Sequence, residues 1–163
     1  MSATIGLQEA NDIDEIHLYP SSSDEITTLR NMWETEQNND KIRLAYANSL
    51  YRSKNKSDVK ESLIHFEYLQ QKNVYYNECL LGMTLAHYNL EEYELSRSYI
   101  EELYRTDYNS SHYKSLHQGI SYRLDKERQS NIQKENLIIG ATATGVGLLA
   151  VGAALTFLFS KKK

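Results

Sequence analysis

The side chains that most often carry catalysis or hold metal ions are few in this chain and poorly spaced for either role. None of the five histidines belongs to a His-Glu-x-x-His motif. His112 and His117 are five residues apart, whereas two metal ligands on one helical face are usually four apart. Residues 1–136 contain only three glycines, so no glycine-rich phosphate loop is available. We therefore expect no catalytic residues, no bound metal and no cofactor.

Recognition of an apolar segment is the chemistry that the sequence does indicate. Four residues follow steps of 3, 4 and 3 and share one helical face: Glu78, Leu81, Leu85 and Tyr88. A face that met only water would be polar, yet this one carries two leucines and a tyrosine. An earlier helical stretch offers a matching face with four more residues: Ile42, Ala45, Ser49 and Arg52. We predict that these eight residues line a groove that binds an apolar helix or extended segment of a partner protein.

A second interpretation of the same face stays open, namely that its apolar residues are core residues covered by another part of the chain. The terminal helix is one candidate cover. The N-terminal arm, residues 1–20, is another, since four of its residues could lie across the groove: Ile13, Ile16, Leu18 and Tyr19. The arm would then compete with a partner. Cys79, beside Glu78, is the only cysteine and is interpreted as a partly buried structural thiol.

The helices that carry the two faces belong to an internal repeat. Two sets of residues are 34 apart and have identical internal steps: Val59, Ser62, Phe66 and Leu69 with Tyr93, Ser96, Ile100 and Leu103. A period of 34 residues with two helices per unit is typical of tetratricopeptide repeats. The copies are imperfect, because Glu91 stands where the consensus has glycine and serines replace two alanines.

Two repeats alone would leave apolar faces open, so a flanking helix must cover each end. Upstream, Ser22 and Glu25 form a potential capping box before a stripe of Ile26, Leu29 and Trp33. Downstream, four residues form a second stripe: Tyr113, Leu116, Ile120 and Leu124. The sequence therefore predicts an all-α cytosolic domain over residues 21–134, a six-helix bundle with two tandem tetratricopeptide-like helix pairs.

The C-terminal segment predicts a single transmembrane helix. Residues 137–159 carry no charge, and 23 residues at about 1.5 Å each just cross a ~30 Å hydrocarbon core. A span so close to the C-terminus is typical of a tail-anchored protein, with the folded domain left in the cytosol. Residues 160–163 form a basic tail that includes Lys161, Lys162 and Lys163. The moderate hydrophobicity and basic flanks favour the mitochondrial outer membrane over the endoplasmic reticulum, and small residues in the span could allow self-association.

The negative net charge argues against nucleic acid as a partner. Residues 1–136 hold 15 basic and 22 acidic residues, and nucleic-acid binding needs a basic surface. The N-terminus has neither the apolar stretch of a secretory signal nor the arginines of a mitochondrial presequence.

Two segments and the tail together resemble the mitochondrial fission 1 protein family, and the fungal members in particular. The segments are YANSLYRSKNKSDVKESLIHFEYL and NECLLGMTLAHYNLEEYELSRSYIEELY, followed by the small-residue tail with its lysines. The resemblance implies a six-helix cytosolic domain anchored in the mitochondrial outer membrane, and often also in peroxisomes. It implies a receptor for mitochondrial and peroxisomal fission that recruits a dynamin-related GTPase through a soluble adaptor, with Glu78, Leu81, Leu85 and Tyr88 in the groove.

Two other functions remain as alternatives. One is a tail-anchored tetratricopeptide receptor for another cytosolic partner, as in protein targeting, or an apoptosis-type regulator. The other is a membrane-fusion protein of the SNARE kind, which would need heptads that run unbroken into the span. The loops at residues 38–40 and 109–111 interrupt such heptads.

Overall fold

Six α-helices make up the part of the chain that the computed structural model describes, residues 20–143, with side chains described for residues 20–139. They are α1 (Ser23–Thr35), α2 (Asp40–Tyr51), α3 (Lys56–Gln71), α4 (Tyr76–Asn89), α5 (Tyr93–Thr106) and α6 (Ser111–Ala143). Only turns and short loops connect them within these residues. The predicted all-α class and the number of helices are confirmed.

Polar side chains cap the N-termini of four helices, α1, α2, α3 and α6. Ser22 Oγ accepts a hydrogen bond from the Glu25 amide at 3.1 Å, Asn39 caps α2 and Asn55 caps α3. Each cap satisfies an amide that has no partner inside its helix. The predicted capping box is only half correct, because the Glu25 carboxylate pairs with Arg52 at 2.9 Å.

Helices α3 and α4 both end in a left-handed residue that turns the chain sharply. Asn73 has φ 55° and Glu91 has φ 65°. At each end two amides bond back to the last turn; after α4, the Glu92 amide reaches the His87 carbonyl at 2.9 Å and the Glu91 amide reaches Tyr88 at 3.0 Å. This is the Schellman arrangement, in which glycine is the preferred left-handed residue. Glu91 therefore occupies a left-handed position, for which the repeat consensus has glycine because glycine adopts this conformation at the lowest cost.

The two helix pairs pack as the 34-residue period predicts. Within the second helices of the pairs, α3 and α5, seven of the eight repeat positions are buried and Tyr93 is partly buried. The serines that replace alanine fit because their hydroxyls are satisfied: Ser96 Oγ donates to the Thr84 carbonyl of α4 at 2.8 Å. Small side chains at these crossings let the paired helices approach closely.

A flanking helix covers each end of the repeat stack. Helix α1 packs its predicted stripe onto Tyr46 and Leu50 of α2, forming a small cluster separate from the main core. At the other end Leu116 and Ile120 of α6 are fully buried in the main core. Both covering helices are therefore confirmed.

His65 of α3 lies inside the contact with α1. Its ring meets Trp33 edge-on at 4.8 Å and Tyr46 at 5.2 Å between centroids. Burial lowers the pKa of His65, and Arg43 lowers it further, while Glu61 acts in the opposite direction. The neutral imidazole is therefore the form that suits this cluster.

Residues from Asp125 onward belong to a second compact unit. Helix α6 continues without a break through residue 134, the predicted end of the cytosolic domain, to Ala143. Within residues 20–143 no helix is both long and apolar enough to cross a bilayer. Most of the predicted span lies outside the described residues, as do the terminal lysines and residues 1–19 of the arm.

Replacement of Glu91 by glycine is expected to stabilise the protein. The left-handed conformation costs an ordinary residue about 1 kcal/mol that glycine avoids. The Lys56–Glu91 ion pair that is lost is 62% and 69% exposed and contributes little. Thermal unfolding followed by circular dichroism should show a midpoint higher by about 3 °C. Asn73→Gly is the matched control and should change the midpoint less, because asparagine tolerates this conformation; equal shifts would contradict the account.

Acidification is expected to weaken the packing around His65. The folded-state pKa is lowered, so its contribution to stability is complete above the unfolded pKa of about 6.5 and is lost as the pH falls through the folded value. Urea unfolding at pH 7.5 and at progressively lower pH should show a declining midpoint. His65→Gln should decline less steeply over the same interval. An unchanged slope would show that other groups control this pH dependence.

Candidate partner-binding groove

A cleft of about 350 Å³ lies where the first helices of the two repeats, α2 and α4, run side by side. Its described lining comes from the C-terminal part of α2 and the N-terminal part of α4: Asn48, Tyr51, Arg52, Glu78, Leu81 and Gly82. We call this cleft the groove. Leu81 supplies a partly exposed apolar side chain, and polar groups surround it.

Three of the eight predicted groove residues, Arg52, Glu78 and Leu81, meet in this lining. Ile42 and Ala45 are half-buried on α2 outside it, and Ser49 is buried with its hydroxyl bonded to the Tyr46 carbonyl. Leu85 is only 4% exposed and Tyr88 only 8% exposed, and both lie in the main core. These two side chains are therefore held inside the fold in this structure, which is the core arrangement that the sequence left open.

Three lining residues escaped the sequence analysis: Asn48, Tyr51 and Gly82. Tyr51 also packs inside the fold, because its ring lies 6.3 Å from that of Phe66 while the residue lines the groove. Burial raises the pKa of the Tyr51 phenol. A glycine in the middle of an apolar helix often marks a close packing contact, and this pattern could have identified Gly82 from the sequence.

Gly82 brings α4 very close to Phe66 of α3. A Cβ at position 82 would lie 2.3 Å from Phe66 Cζ, much closer than two carbon atoms approach. Phe66 is fully buried and has no room to retreat. Gly82 therefore determines how closely α4, which forms one side of the groove, packs against α3.

Arg52 is fixed at one end of the groove by three contacts. Its Nε donates to the Asn48 carbonyl at 3.0 Å, and its guanidinium donates to Glu25 of α1 at 2.9 Å. Its own carbonyl accepts from the Ser21 amide at 3.2 Å. Arg52 thus connects the groove to α1 and to the segment that precedes α1.

A second cavity, of about 430 Å³, lies beyond Arg52 at the turn between α2 and α3. We call it the basic cavity. Its described lining contains three cationic side chains and four other residues: Arg52, Lys54, Lys56, Pro20, Ser53, Val59 and Asn89. Asn89 also ties α4 to α2, since its amide donates to the Tyr51 carbonyl at 2.8 Å.

Cys79 is fully buried, whereas the sequence predicts a partly buried thiol. Burial raises its pKa to about 11, and the charge of Glu78 adds to the effect. A thiol that stays protonated at neutral pH is a poor nucleophile and a poor metal ligand. Among the described residues no group of three histidine, cysteine or carboxylate side chains could hold a metal ion, and the absence of catalysis stays a prediction.

Comparison with known proteins finds relatives both by sequence and by structure. No protein-family model matches the chain. The FIS1-related protein fis-2 of Caenorhabditis elegans is 29% identical over 128 residues, which cover 73% of this chain and 74% of the relative.

The structural relative is yeast Fis1, in a crystal structure of its complex with an Mdv1 fragment containing N-terminal extension and coiled coil domains. The match has a TM-score of 0.63 at 20% identity and covers 68% of this chain and 97% of the yeast chain. At that identity it establishes the fold and confirms the tetratricopeptide-like arrangement. The sequence relative and the structural relative are both Fis1-type proteins, so the chain is similar to the mitochondrial fission 1 family in sequence and in fold.

Proposed function

We propose that this protein is an outer-membrane receptor for mitochondrial division that binds a soluble adaptor in its groove. The adaptor in turn recruits a dynamin-related GTPase, which supplies the force for constriction. The same receptor would serve peroxisomal fission. The protein itself contributes a location and a binding surface, and no catalytic step.

The observation that carries this proposal is the groove between α2 and α4 on a fold shared with an adaptor-bound fission protein. Leu81 and the edge of Tyr51 offer apolar contact area, and Asn48, Glu78 and Arg52 surround it with polar groups. An apolar centre with a polar rim is the usual composition of a surface that receives one face of an amphipathic helix.

The deeper residues of α4 support this surface. Leu85 and Tyr88 lie one and two turns beyond Leu81 and are buried in the main core, so they hold α4 in position beneath the partner. A partner would touch them only if the groove opened further at that end. We propose that the first contacts are made at Leu81 and at the two ends of the cleft.

Location follows from the sequence of the tail. Residues 137–159 are uncharged and are followed by Lys161, Lys162 and Lys163, which supports insertion in the mitochondrial outer membrane with the helical domain in the cytosol. An anchor confines the groove to a surface, which raises the effective concentration of the binding sites there. A modest affinity at each groove is then sufficient for recruitment.

Leu81→Asp is expected to abolish adaptor binding. A carboxylate in the centre of the apolar contact would be buried without a partner, so the affinity should fall at least about tenfold. Calorimetric titration of the full-length protein with the Mdv1 fragment measures this directly, and the variant should also fail to restore division in cells whose mitochondria have elongated because they lack the protein. Leu95→Asp, on an exposed leucine of α5 outside the groove, is the control and should bind normally. Unchanged binding by Leu81→Asp with an intact circular dichroism spectrum would refute the groove.

Replacement of Lys161, Lys162 and Lys163 by glutamine is expected to redirect part of the protein. Without the basic flank the span should enter the endoplasmic reticulum to a visible extent. Fluorescence microscopy of the tagged protein with markers for both membranes measures the shift. The Leu81→Asp variant keeps the tail intact and should localise as the wild type does. If the lysine variant also stays on mitochondria, tail charge does not select the membrane.

A further inference from the structure

The basic cavity carries an unusual charge composition for a protein with a net charge of −4. Arg52, Lys54 and Lys56 line it, and no carboxylate belongs to its described lining. Lys56 is also the first residue of α3, so the positive end of a 16-residue helix adds to the local potential. Of the three cavities described in this article, this is the one whose charged lining residues are all cationic.

The cations of the cavity are only weakly neutralised by their neighbours. Arg52 pairs with Glu25 and Lys56 pairs with Glu91, but these side chains are between one third and two thirds exposed. Lys54 makes no ion pair with any other residue that the structure describes. Exposed ion pairs contribute little and exchange readily, so an incoming carboxylate can compete for these groups.

Arg52 connects this cavity to the groove. Its side chain belongs to the lining of both, and it follows Tyr51, the last residue of α2. The groove and the basic cavity are therefore adjacent, and a partner segment that contacts the groove at Arg52 also lies next to the basic cavity.

The other end of α2 has a different charge composition. A cavity of about 630 Å³ there has Glu36 and Asp40 in its lining against one cation, Lys41. Asp40 forms an ion pair with Lys72 through Oδ2, while its Oδ1 is buried with no hydrogen-bond partner among the described atoms. Asp40 and Arg52 are twelve residues apart, or about 18 Å along the helix axis. The charged lining residues are thus mixed in sign at this end of α2 and all cationic at the other end.

We propose that the partner segment seated in the groove carries an acidic residue that enters the basic cavity, and that this carboxylate fixes the direction in which the segment binds. This inference rests on the proposed function, because it assumes a partner helix in the groove. The carboxylate meets Lys54 directly and competes with Glu25 for Arg52. The reversed orientation would place that carboxylate at the other end of α2, where Glu36 repels it and Lys72 is already paired with Asp40.

Lys54→Glu tests the proposal, with the Mdv1 fragment as the probe. At about 0.05 M salt the full-length variant should bind about tenfold more weakly than the wild type, and the difference should shrink at about 0.5 M salt, where charges are screened. Lys60→Glu is the matched control: it lies on α3, is exposed and does not line the cavity. It changes the net charge by the same amount and should alter the affinity less than about twofold.

A charge reversal in the partner completes the test. Among variants of the fragment in which single acidic residues become lysine, one should bind Lys54→Glu more tightly than it binds the wild type, because the pair is restored with opposite signs. No such exchange at any acidic position would overturn the proposal. Equal effects of Lys54→Glu and Lys60→Glu would overturn it as well.

Two further outcomes distinguish this proposal from binding in the groove alone and from binding of a lipid headgroup. If Leu81→Asp abolishes binding while Lys54→Glu behaves as Lys60→Glu does, the groove stands and only the basic cavity fails. If Lys54→Glu reduces binding to vesicles containing phosphatidylserine but leaves the affinity for the fragment unchanged, the cavity serves a lipid headgroup and the proposal is wrong.

Discussion

Helix α4 has to be apolar on nearly every side, and this requirement shapes the domain. It packs against α2, α3 and α5, and nine of its fourteen residues are buried. Burial of that much apolar surface is the main favourable contribution to folding. Only a short stretch near its N-terminus, around Glu78 and Leu81, remains for contact with anything else. The groove therefore lies at the part of α4 that its neighbouring helices do not cover.

Close approach between helices is achieved by small residues at a few positions. Gly82 rests against the ring of Phe66, where a Cβ would lie 2.3 Å from Cζ. Ser96 crosses α4 with its hydroxyl on the Thr84 carbonyl, so a polar group is buried without a loss of hydrogen bonding. Interiors packed this densely transmit displacement, which means that the shape of the groove depends on contacts on the far side of α4.

A charged contact joins α1 to the rest of the helix stack. Arg52 holds α1 through Glu25 and lines two cavities at once, so a group that binds there also acts on the packing of the first helix. That helix contributes a small separate cluster rather than joining the main core. His65 and Trp33 lie in the same contact. The attachment of α1 is consequently the part of the described domain most open to change by a partner or by pH.

The sequence by itself determined the class of the domain, its repeat and the identity of its covering helices. Periodicity was sufficient because a buried stripe such as Leu116 and Ile120 repeats at the helical spacing whatever its partner is. The resemblance in the two repeat segments agrees with the FIS1-related sequence relative. The sequence also identifies the face with Glu78, Leu81, Leu85 and Tyr88 as largely apolar, since that much depends on residue type and spacing alone, and partner binding by this face stays a prediction.

Tertiary structure decided which residues of that face remain accessible. A sequence shows that Leu85 is apolar and on a given side of a helix, but its exposure depends on helices that are distant in sequence. The same holds for the pairing of Arg52 with Glu25 instead of a capping box, and for Lys54 and Lys56, which the sequence shows only as two lysines in a loop. Spacing along one helix is a local property, whereas burial and charge pairing are set by the packing of several helices.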